Sequence, residues 1–118
     1  MSPRSLLPGE ALIMRTLLAH AYEQKWTDVD VASLRVTEMD DGGMGSLSFE
    51  TIKPDRMFGR TLSEGWFKDE DGFPCAIAIV LDKEDEIFEL DSFKVDSSPR
   101  RRLPDSESEI RFDNPHME

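Results

Sequence analysis

One cysteine, two histidines and a few clustered carboxylates are the residues of this sequence that could do chemistry. Cys75 stands in Phe73-Pro74-Cys75-Ala76-Ile77-Ala78-Ile79, where its neighbours alternate as in a strand, so it reads as a small core residue. A catalytic thiol needs a base within reach and partial exposure. His20 falls in an apolar helical stretch and His116 in a polar one, and neither has the context of a base. No catalytic residue is expected, and the chain reads as non-enzymatic. The same three residues cannot close a zinc site without carboxylates. Asp40-Asp41-Gly42 and Asp69-Glu70-Asp71-Gly72 look superficially like calcium loops but lack the spaced ligands and closing glutamate. Gly42-Gly43-Met44-Gly45 is followed by no helix and no phosphate-binding lysine, so it reads as a turn. Glu89-x-Asp91-x-x-Lys94 could hold Mg²⁺ if all three side chains met. Strand alternation puts Glu89 and Asp91 on one face and Lys94 on the other, which is the pattern of a solvated strand face. A divalent-metal or small-ligand site near Glu89 and Asp91 is therefore the alternative reading; no metal site or cofactor is otherwise expected.

The elements that would position these groups are legible in the periodicity. Pro8-Gly9-Glu10 opens a helix whose Ile13, Met14, Leu17, Leu18 and Ala21 form one apolar stripe. After Trp26 the period changes to two. Strands are expected at Ser33–Thr37, Met44–Thr51, Arg60–Phe67, Phe73–Leu81 and Ile87–Val95, separated by Asp/Gly and Lys-Pro-Asp turns. The fourth is apolar on both faces with small residues on one side, as a central strand under a helix would be. The fold class is α+β: an N-terminal amphipathic helix on an antiparallel meander of about five strands. Residues 1–98 form one domain, and 99–118 read as a polar, flexible tail carrying Arg100-Arg101-Arg102, a basic run able to fold back on an acidic body.

In a meander, the turns at Asp40–Gly43 and Asp69–Gly72 share one end of the sheet. Asp40, Asp41, Asp69, Glu70 and Asp71 would then form an acidic rim, with Trp66 (or Phe67) as an aromatic anchor if exposed. Net charge is −11, and −9 of it lies before Asp96. Such a body repels nucleic acid and anionic lipid and favours a basic protein partner. A monomer or homodimer is expected. One cysteine allows no internal disulfide, no apolar run approaches a membrane span, and the N-terminus lacks a signal-peptide core. A cytoplasmic protein is the expectation.

At Asp41-Gly42-Gly43-Met44-Gly45-Ser46-Leu47 and Phe88-Glu89-Leu90-Asp91-Ser92-Phe93-Lys94-Val95-Asp96 the chain resembles a family of small bacterial domains of unknown function. They share an L-x-P-x-E helix start, here Leu6-Leu7-Pro8-Gly9-Glu10, a D-x-D-G hairpin and a closing E-L-D-x-x-K-V-D strand. The resemblance covers Leu6 to Pro99 and implies no activity or functional residue. Small acidic single-domain proteins are often immunity proteins that neutralise antibacterial toxins, an analogy of class rather than of residues.

Overall fold

A computed structural model describes residues 3–51, 53 and 55–113. A two-residue strand, β1 (Arg4–Ser5), precedes helix α1 (Pro8–His20); short 3-10 turns at Gln24–Asp28 and Val31–Ser33 lead into the sheet. Strands β2 (Arg35–Glu38), β3 (Leu47–Phe49), β4 (Phe58–Lys68), β5 (Pro74–Asp82) and β6 (Ile87–Lys94) follow, and a last 3-10 turn spans Glu107–Glu109. The α+β class is as the periodicity predicts, with β1 as a sixth strand.

Helix α1 starts at Pro8, where a missing N–H costs nothing. Glu10 turns back to accept the Leu7 N–H at 2.8 Å, and the Arg4 guanidinium forks onto its two oxygens at 2.8 and 3.0 Å. The helix thereby holds β1 as well as its own first turn. Ile13, Met14, Leu17 and Leu18 are buried against β4 and β5, each contributing about 2 kcal/mol of apolar burial. Cys75, Ile77, Ile79 and Leu81 of β5 meet them, together with Leu47 and Phe49 of β3 and Leu90 of β6.

All strand pairs are antiparallel, in the order β1-β2-β3-β6-β5-β4. The expected meander is corrected at one point: β3 pairs with β6, not β4. The physical reason is which sheet edge is free. The outer edge of β4 is taken by Arg111, which exchanges backbone bonds with Trp66, so β3 adds to the free edge of β6 instead. The β3–β6 seam is extended by a side chain, since Ser46 Oγ donates to Ser92 O at 3.1 Å and accepts from Ser92 N at 2.9 Å.

The polarity of the segment from Pro99 predicts a flexible tail; instead, 99–113 runs as a strap against the domain. Arg100 N donates to Gly43 O at 3.0 Å, and Arg111 exchanges two backbone bonds with Trp66 at 2.7 and 2.8 Å on the outer edge of β4. Ile110 enters the main core, and Leu103 packs so closely on Gly9 that a Cβ there would overlap it. Residues 114–118, including His116, lie outside the described residues.

Candidate partner-binding surface

The topology brings the Asp40–Gly43 and Asp69–Gly72 turns to one end of the sheet, so the five rim carboxylates share that end. Their environments divide them. Asp41 accepts backbone N–H groups of Met44 at 3.1 Å and Ser46 at 2.8 Å. Burial opposes its charge, but these donors win and hold its pKa below the ordinary range. Inside this loop Gly45 has φ +97°, and a Cβ there would run into the Arg100 guanidinium.

Asp69 is buried. It accepts from Glu70 N at 2.8 Å, Arg101 N at 2.8 Å and Arg102 N at 3.1 Å, and pairs with Lys94 Nζ at 2.9 Å. Burial alone would raise its pKa; the Arg101 backbone donor and the Lys94 ammonium outweigh it and hold the carboxyl at about 2. Asp71 takes the same ammonium at 2.6 Å and Arg101 Nε at 3.5 Å. Lys94 itself has no exposed surface and points to the helix face beside Leu90 and Ser92. The basic run does fold back, and its anchor is the backbone of Arg101 and Arg102 as much as their charges. Asp40 and Glu70 are left exposed, and neither has an ion pair among the described residues.

Trp66 is not an exposed anchor. It is 2% exposed, its Nε1 donates to Asp113 O at 2.6 Å, and the Arg111 guanidinium lies 5.2 Å from its ring centre. Phe67 is fully buried on the helix side. At the opposite end of the sheet buried Asp82 gathers Lys53 at 3.2 Å, Arg56 at 3.0 Å and the N–H groups of Glu84 and Glu86, which together depress its pKa against the cost of burial. Arg56 also donates to the carbonyls of Phe49 and Ile87, tying β3 to β6.

The helix, its core and the buried Lys94 all lie on one face of the sheet. Among the described residues no helix or strand covers the other face of β4, β5 and β6, where Trp66 is buried beneath the strap. Two register rows define that face: Trp66–Ala76–Phe93 and Glu64–Ala78–Asp91. They line a groove of about 480 Å³, with Phe112 and Asp113 of the strap at its margin. Glu89 lies on this face beside Asp91, opposite in sense to Lys94, as alternation predicts. Burial and then the Asp91 charge raise its pKa. Phe93 is half-exposed, and Glu64 and Asp91 are exposed and make no ion pair among the described residues. The signal for this face was the small-residue side of β5.

Cys75 is a fully buried core residue, its thiol pushed up to about 11 chiefly by burial. His20 stacks on Phe112 with ring centres 3.7 Å apart. Among the described residues, no three His, Cys, Asp or Glu side chains converge as metal ligands. No described helix is long and apolar enough to cross a membrane.

A helix on one face of an antiparallel sheet, with no described helix on the other, defines a two-layer α+β domain. The family model described as Domain of unknown function (DUF6984) matches residues 3–104, and the chain belongs to that family. The match ends within the strap, before Ile110 and the Arg111–Trp66 bridge. Neither the curated proteins nor the solved structures yield a match.

Proposed function

We propose that the chain is a non-catalytic protein-binding domain for a basic partner, in its sharpest form an immunity protein neutralising a basic antibacterial toxin. The observation that carries this reading is the sheet face opposite the helix, whose Glu64, Glu89 and Asp91 surround small and aromatic apolar residues. Net charge of −11 supports it through long-range attraction, which speeds encounter, while apolar burial slows release. The rim contributes Asp40 and Glu70; Asp41, Asp69 and Asp71 are spent on internal bonds. The compartment that fits is the cytoplasm, in keeping with one buried thiol and no second cysteine.

Co-expression with the product of the adjacent gene, followed by capture on the tagged chain at low and then high salt, tests this. One basic protein retained at low salt supports the reading, and retention at high salt adds an apolar contact beneath the charges. An empty column at both salts sinks it. A second reading, a divalent ion held by Glu89 and Asp91, draws on the adjacency of the two carboxylates and on the burial and neighbouring Asp91 charge that raise the Glu89 pKa. It requires thermal stabilisation by Mg²⁺, Mn²⁺ or Ca²⁺, and an unshifted melting curve removes it.

A further inference from the structure

The two register rows put different chemistry at successive positions of one groove. Ala76 separates Trp66 from Phe93, and Ala78 separates Glu64 from Asp91. Neighbouring strands lie ~4.8 Å apart, so the flanking side chains rise from backbones about 10 Å apart with only methyl groups on the floor between them. Both carboxylates line the cavity from opposite walls, and Phe93 and Phe112 give it apolar surface. Glu64 and Asp91 have no basic partner among the described residues, Asp91 sharing only a side-chain hydrogen bond with Glu89, whereas Asp69, Asp71 and Asp82 each hold a basic side chain.

A group that can meet carboxylates on two walls and lie against aromatic rings is planar, cationic and rich in donors. A guanidinium has those properties; an ammonium has the charge without the plane. The protein makes this pairing once already at the groove margin, where Arg111 lies over Trp66 and forks onto Asp113 at 3.2 and 2.8 Å. Resting on the binding role proposed above, we infer that the groove over Ala76 and Ala78 receives an arginine side chain of the basic protein partner.

The test is an NMR titration of the isotope-labelled full chain with N-acetyl-arginine amide, using the lysine and glutamine analogues as comparators. Saturable shifts centred on Ala76, Ala78 and Phe93 are expected, strongest for arginine. Glu64→Gln with Asp91→Asn, both at exposed positions, should weaken that affinity about fivefold, the scale of two solvated ion pairs. Ala76→Leu, which fills the floor, should abolish it. Absence of saturable shifts, shifts centred on Asp40 and Glu70, or an unchanged affinity in the double variant would each overturn the inference. Capture of the partner with no arginine response overturns the groove alone and leaves the binding role standing. Failure of capture overturns both.

Discussion

Lys94 shows how a single residue can be misread by its type and read correctly by its position. Alternation along β6 places it on the face of Leu90, away from Glu89 and Asp91, and that face is the core. A lysine there must bring carboxylates with it. Asp69 and Asp71, in the turn joining β4 to β5, supply them. The pairing was not legible because the same two aspartates also fit an exposed turn, and nothing local distinguishes the cases. The consequence appears in acid. Asp69 has a folded pKa of about 2 against an ordinary 3.8. Its charge therefore adds stability that is complete above the ordinary value and is lost as pH falls towards the folded one. Asp69→Asn should cost about 2 kcal/mol at neutral pH by loss of charged hydrogen bonds. It should also flatten the pH dependence of the urea midpoint below about pH 5; an unchanged slope would mean Asp69 is not ionised in the fold. Glu89 has the opposite sign. Its raised pKa makes its charge a liability, so Glu89→Gln should raise the urea midpoint at neutral pH, with the gain gone below the ordinary glutamate value of 4.5. A lower midpoint would reveal a stabilising partner for that carboxylate.

Among the elements, those with long regular periods were legible and those held by distant or sparse contacts were not. The stripe of α1 and the alternations of β4, β5 and β6 repeat often enough to fix both type and buried face. β1 is two residues long and has no period to read. The β3–β6 pairing joins Leu47 to Leu90 with two strands between them in sequence, and turn chemistry speaks only to neighbouring strands. The strap has Leu103, Ile110 and Phe112 spread through polar residues. Its docking depends on backbone donors at Arg101 and Arg102, which composition does not announce. Ile110 tests whether the strap belongs to the core. Ile110→Ala should lower stability by about 2–3 kcal/mol in urea denaturation, whereas a flexible tail would lose nothing measurable. The same truncation should speed proteolysis between Pro99 and Asp113, read by mass spectrometry of the fragments.

For the whole molecule, the distribution of charge matters more than its sum. Asp69, Asp71 and Asp82 at the sheet ends are neutralised by Lys53, Arg56, Lys94 and the strap, so the long-range field comes from the exposed carboxylates without a basic partner, Glu64 and Asp91 among them. Glu64→Lys with Asp91→Lys should slow association with a basic partner about tenfold at low ionic strength, with the difference closing as salt rises. Asp40→Lys with Glu70→Lys should do less in the same stopped-flow measurement; a reversed order would move the contact to the rim. Substitution of Asp69 and Asp71, natural targets from sequence alone, would report on folding instead. The strand order has a consequence for biosynthesis. β6 is the last strand to leave the ribosome, yet it lies between β3 and β5 and joins the two parts of the sheet. Until it emerges, the nascent chain carries two incomplete sheets with raw edges, each a template for pairing with another polypeptide. Slow translation between Phe58 and Ile87 would prolong that interval, making this stretch the part of the message where codon choice governs the yield of native protein.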